Sequence, residues 1–178
     1  MFEEVLSFWF NETDPAQRWK KDAAFDQLIA ERFTALLESA ARCELYAWRL
    51  TPQGRLAEII VLDQFSRNIY RNQPAAFAHD AVALALAQAA VEAGALTDLS
   101  PDRRQFLLMP YMHSESLAIH DAAATLFNNH CEAATIEFAK RHRDIIARFG
   151  RYPHRNAILD RPSTAEELDF LQAPGSSF

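Results

Sequence analysis

Glycine is scarce in this chain: four residues in 178, against an abundance of alanine. Inside a helix glycine costs about 1 kcal/mol relative to alanine, so the composition favours helix throughout. The shortage also removes whole classes of chemistry. There is no glycine-rich phosphate loop and no Gly-x-Ser-x-Gly elbow to expose a serine nucleophile. Cysteine is nearly missing too. Cys43 and Cys131 form no Cys-x-x-Cys pair, which excludes a redox dithiol or zinc ribbon. They read as free thiols of a reducing compartment, and a cytoplasmic location is expected.

Long apolar runs are lacking. The longest, Ala81 to Ala87, falls far short of the roughly 20 residues that a membrane span needs, so no membrane partner is expected. The opening stretch MFEEVLSFWF carries acids where an export signal carries bases, and no such signal is expected. Positive charge is in short supply: 18 Lys and Arg against 24 Asp and Glu, a net −6. That balance excludes a general nucleic-acid-binding face.

What is present is a chain long enough for one domain with a substantial core, 49% hydrophobic and 24% charged. Helical spacing recurs along it and sustained alternation does not. A first helix over Phe2–Trp9 would bury Val5, Leu6 and Trp9. Asp22 can cap a second, with Phe25, Ile29, Phe33, Leu36 and Ala40 as its stripe. Thr51-Pro52 starts a third, running to about Asn68 and burying Leu56, Ile59, Ile60, Leu62 and Phe65. Asp80 would cap the next, which Gly94 ends. Ser100-Pro101 opens a region reaching about Phe127, kinked or broken at Pro110, with Met109, Met112, Ser116, Ile119, Ala123 and Leu126 on one face. A helix over Ala133–Phe149 ends at Gly150. Ser163 with Glu166 forms a capping box for a last helix, Thr164–Leu171. The expectation is an all-α fold of antiparallel helix pairs in a single domain over residues 1–178, with a frayed tail from 170. No clean repeat of 34 residues establishes a tetratricopeptide array.

Charge is concentrated at one place. Lys140 to Arg155 holds six Lys and Arg and one acid, Asp144, giving +5 there and −11 elsewhere. Within it, RFGRYPHRN is partly a helix end: Gly150 stops the helix, and Arg148 and Arg151 suit its dipole. His154, Arg155 and Asn156 lie beyond any cap. An anion-receiving pocket and an internal arginine–carboxylate network both explain them, the latter with Asp63 or Glu115 as partners. Asp63 and Arg67 have the spacing of a helix ion pair, with Asn68 beside them. His142 sits on the apolar side of its helix, as a core histidine or as a ring facing a polar pocket. His113, Ser114, Glu115 and His120 do not make a metal site. His113 and Glu115 point to opposite faces, and two helical turns put His113 and His120 roughly 10 Å apart. Neither a metal nor a cofactor is expected.

The phrases VLSFWF, WKKDAAFD, LDQFSRNIYR, MPYMHSES, RFGRYPHRN and STAEELDFL, in that order and spanning nearly the whole chain, resemble the bacterial family known as domain of unknown function 924. That resemblance implies a helical fold similar to tetratricopeptide superhelices and no established activity. It draws attention to Asp63, Gln64, Arg67 and Asn68, to His113, Ser114 and Glu115, and to Arg148 through Asn156. Two departures are visible: Ser66 where the family often has proline, and MPYM in place of a more leucine-rich stretch.

The leading expectation is a binding module, holding a small anion or a peptide carboxylate among Asp63, Arg67, Asn68, His113, Glu115, His142, Arg148, Arg151, His154, Arg155 and Asn156. An acid–base enzyme is the alternative, with His113 or His154 as base held by Glu115 or Asp63. A scaffold locked by a buried polar network is the third.

Overall fold

A computed structural model describes residues 1–176, and these are helical without a strand. The helices are α1 (Phe2–Ser7), α2 (Ala23–Ala41), α3 (Pro52–Ile60), α4 (Ser66–Ile69), α5 (Asp80–Glu92), α6 (Pro101–His113), α7 (Leu117–His130), α8 (Ala133–Phe149) and α9 (Ala165–Leu171). Short 3₁₀ turns join several of them, and π-helical turns extend α1 (Phe8–Glu12) and link α3 to α4 (Val61–Phe65).

Local chemistry sets most boundaries. Asp22 accepts from the amides of Ala24 and Phe25 at the start of α2, and Thr51 accepts from Gly54 at the start of α3. Gly150 ends α8 at φ 69°, the left-handed region that a side chain disfavours. Gly54 answers a different demand. A Cβ there would lie 2.0 Å from the carbonyl oxygen of Trp48, so the Tyr46–Leu50 turn packs directly on its backbone.

Four of the expectations need correction. The long region after Pro101 breaks at Ser114–Ser116 and not at Pro110, which lies inside α6. Phe106 through Met112 are all buried, and that packing offsets the hydrogen bond proline cannot make. The capping box is Thr164 with Glu167, one residue on from Ser163 and Glu166, because the Ser163 hydroxyl accepts from Asn156. In α2 the buried stripe passes through Leu37, with Leu36 at its edge. Asp80 does not cap α5: the cap position is His79, without a side-chain bond, and the Asp80 carboxylate is used elsewhere. At the far end Ser176 is buried and donates to the Leu171 carbonyl, while Ser177 and Phe178, part of the expected frayed tail, lie outside the described residues.

The main core joins α1 to α6 around an aromatic cluster. Phe65 stands 4.7 Å from Phe33 and 5.6 Å from Trp9, which in turn meets Phe106 at 5.6 Å. Helices α5, α6, α7 and α8 pack each on the next. A smaller core of Ile145, Ile146 and Tyr152, with Phe149 and Phe170, fastens α9 to the end of α8. The segment Pro74–Glu92 is long and apolar enough to span a membrane by length and composition, with mean hydropathy 1.3. Its apolarity is mostly alanine, and Ala83, Ala87 and Ala90 are spent on the core.

Candidate functional site

Between the main core and the C-terminal segment lies a cavity of about 860 Å³. One wall is α6, which contributes Gln105, Met109, Met112 and His113, spaced for one helix face. A second is α8, with Thr135, Phe138 and His142; the Thr135 hydroxyl donates to Gln105 Oε1 at 3.1 Å, pinning the two helices at that end. The α3–α4 junction and the turn after it supply Gln64, Arg67, Asn68, Arg71 and Phe77, and the 3₁₀ turn Pro153–Arg155 supplies His154 and Arg155.

At the end marked by His113, the π turn matters most. It keeps Phe65 in the aromatic core while turning Asp63, fully buried, towards α6. Asp63 Oδ1 lies 2.7 Å from His113 Nδ1 and 3.3 Å from Arg67, and Gln64 donates to Oδ2 at 2.6 Å. Burial opposes the charge on Asp63, but His113 and Arg67 outweigh it and hold the carboxyl below the ordinary carboxylate range. Burial, then Arg67, pushes His113 down from 6.5, so near neutrality the ring is uncharged. Since an ionised Asp63 can only accept, Nδ1 carries the proton, and Nε2, bonded to no described residue, is the basic nitrogen.

Two arginines share one carboxylate beside this pair. Arg67 donates to both oxygens of Asp80 at 2.9 Å, and Arg155 donates to Oδ2 at 3.2 Å and to the His113 carbonyl at 3.1 Å. The Arg155 guanidinium is sandwiched between the rings of Phe77 and Tyr152, 4.7 and 4.6 Å from their centroids. Burial, then the nearby Arg67, lowers its proton affinity against the pull of Asp80 and Glu115. Tyr152 donates to the Met112 carbonyl, and its ring stands 5.7 Å from His142 and 5.5 Å from His154. Burial takes both histidines down to about 3, so both are neutral. His142 also donates from Nδ1 to the Phe138 carbonyl, as a core histidine does, yet lines the cavity.

The structure therefore gathers Asp63, Arg67, Asn68, His113, His142, His154 and Arg155 at the cavity, with Asp63 behind His113. The other expected residues lie elsewhere. Glu115 takes two bonds from Arg161, at 2.7 and 3.0 Å, and one from the Tyr152 amide. Arg148 pairs with Glu166, and Arg151 with both oxygens of the buried Glu167. Asn156 bridges Ser163 and Arg161. Those four build the support under the Tyr152–Arg155 turn and do not line the cavity.

Sequence reasoning missed Asp80, read as a cap, and it missed the strap Arg18, Trp19, Lys20 and Lys21 that lines the cavity. The signal for most of the strap was the phrase WKKDAAFD itself. Arg71, which pairs with Asp26, closes LDQFSRNIYR in the same way. Among the described residues no group of three His, Cys, Asp or Glu side chains is placed to hold a metal ion.

Fold and site together define an all-helical protein with a cavity walled by arginines, histidines and methionines. Residues 5–175 match the family described as "Bacterial protein of unknown function (DUF924)", and the chain belongs to that family. It is similar to the solved structure of a protein of unknown function, ATU0120, from Agrobacterium tumefaciens: 36% identity, a TM-score of 0.91 and 96% of each chain covered. Among curated proteins no match is found.

Proposed function

We propose that this protein is a binding module that receives a small organic anion in the cavity. One observation carries the reading. The cavity face presents Arg67, Arg155 and Arg71 while their carboxylate partners Asp63, Asp80 and Asp26 stand behind the wall. Arg18, Lys20 and Lys21 add three cations with no carboxylate within 4.0 Å among the described residues, and Glu132 is the acid among the lining residues. Such a face attracts negative charge and raises its local concentration. A volume of about 860 Å³ accommodates a metabolite-sized molecule. The stacking of α5 to α8 supports a tetratricopeptide-like superhelix with the cavity in its concave side, and two free thiols suit a cytoplasmic protein. Thermal-shift titration with carboxylates and inorganic phosphate is the test. Stabilisation should appear in the native chain and disappear in Lys21→Glu, an exposed change that reverses charge without touching the core; equal responses from both proteins would sink the reading.

The Asp63–His113 bond favours a second reading, an acid–base enzyme. A buried carboxylate fixing one imidazole nitrogen while the other stays basic is the arrangement of a general base. Glu115 does not fill that role, being committed to Arg161 and Tyr152. If an activity is found, His113→Gln should abolish turnover and leave the helical fold intact by circular dichroism.

A further inference from the structure

The cavity has a long axis, and its two ends differ. Gln105 and His113 both line it from α6, and at about 1.5 Å per residue they stand about 12 Å apart along the helix. The α8 wall runs alongside in the same sense: Thr135 is bonded to Gln105 at one end, and His142 reaches Tyr152 at the other. Between the ends the wall is Met109 and Met112, soft apolar surface that adapts to the shape of what it meets.

At the Gln105 end the mouth is aromatic. Trp19 stacks on Phe106, with centroids 5.7 Å apart and planes 18° from parallel, yet remains 59% exposed. Phe138, from the α8 wall, is 53% exposed. Both are among the few large apolar side chains left in water among the described residues, and both line the same cavity. The other two tryptophans, Trp9 and Trp48, are buried.

At the His113 end the charges nearly cancel. Arg67 and Arg155 face Asp63 and Asp80, and His113, His142 and His154 are neutral near pH 7. Of the three cavity cations without a carboxylate within 4.0 Å among the described residues, Arg18, Lys20 and Lys21, the one that acts on His154 at this end is Lys21. One surplus cation balances one negative charge; a dianion would leave a buried charge without a partner, which is costly.

We infer that the ligand is an elongated monoanionic carboxylate with an aromatic tail, its carboxylate at the Arg155–His113–Lys21 end and its ring at Trp19 and Phe138. This rests on the anion-binding reading and adds orientation, charge and tail to it. The carboxylate meets Arg155, whose partner Asp80 is shared with Arg67, the methionine wall covers the body, and the tail replaces water on Trp19.

Isothermal titration of the full chain with four probes tests it: 4-phenylbutyrate, butyrate, 4-phenylbutanamide and phenyl phosphate. The expected order places 4-phenylbutyrate first, about tenfold tighter than butyrate, as an aromatic contact predicts. The amide should bind about tenfold more weakly than the acid, and phenyl phosphate should also be weaker. In Trp19→Ala, an exposed site whose change leaves the core intact, 4-phenylbutyrate should fall to the level of butyrate, and butyrate should not change. If butyrate matches 4-phenylbutyrate, or Trp19→Ala changes nothing, the orientation is wrong while anion binding stands. Phenyl phosphate binding as tightly as 4-phenylbutyrate rejects the single charge. An amide as tight as the acid, or no binding by any probe, overturns both this inference and the anion-binding reading.

Discussion

Glu167 is buried at the start of α9, yet its carboxyl is drawn down to about 2, first by the Arg151 bond and then by the Thr164 amide, against the pull of burial. An ordinary carboxyl of this kind titrates near 4.5, so the unfolded chain takes up a proton at higher pH than the folded one does. The stability Glu167 supplies is whole above 4.5 and drains away as pH falls towards 2. His142 and His154 act in the same direction over an earlier window. Burial holds them at about 3 against an ordinary 6.5, so acidification below 6.5 favours the unfolded state. Thermal melts should therefore show Tm falling from pH 6.5 downwards, well before carboxylates titrate. His142→Gln combined with His154→Gln should flatten the part between 6.5 and 4.5, and Glu167→Gln only the part below. Arg151→Ala should lower Tm, since it removes both bonds to the buried Glu167 carboxylate.

Helix ends written in neighbouring residues were legible in the sequence; partners brought in from afar were not. Asp22, Thr51 and Gly150 act on amides or dihedrals within three residues, and each stands where its chemistry places it. Thr51→Ala should cost about 1 kcal/mol in denaturant unfolding, the usual worth of such a cap. Gly54→Ala should cost more, about 3 kcal/mol, because the added methyl would lie 2.0 Å from the Trp48 carbonyl oxygen, a backbone atom. Asp80 shows the limit. Its position before an apolar helix suggests a cap, and nothing nearby says that arginines from two distant segments will claim its carboxylate. The capping box shows it again: Ser163–Glu166 and Thr164–Glu167 both fit the pattern, and Asn156 and Arg151 decide between them. The π turn leaves no local mark either, yet it lets Phe65 and Asp63 serve the core and the site at once.

Across the whole molecule the cavity draws on segments spread from Arg18 to Gly175, while α9 supports it from behind. Removing the segment after Pro162 would take away the partners of Arg148, Arg151 and Phe149 together. Such a chain should keep its α1–α6 core, lose amide protection around Tyr152–Arg155, and bind carboxylates more weakly; hydrogen exchange and titration would read these separately. The carboxylate that Arg67 and Arg155 share has a temporal side as well. Synthesis delivers Asp63, Arg67, Asp80 and then His113 in one stretch, and Arg155 follows His113 by 42 residues. Until it emerges, a nascent chain can already assemble the imidazole–carboxylate pair, but the guanidinium that spans Asp80 and the His113 carbonyl is still inside the ribosome. A product terminated before Arg155 would leave the Asp80 carboxylate to Arg67 alone and the His113 carbonyl without its guanidinium.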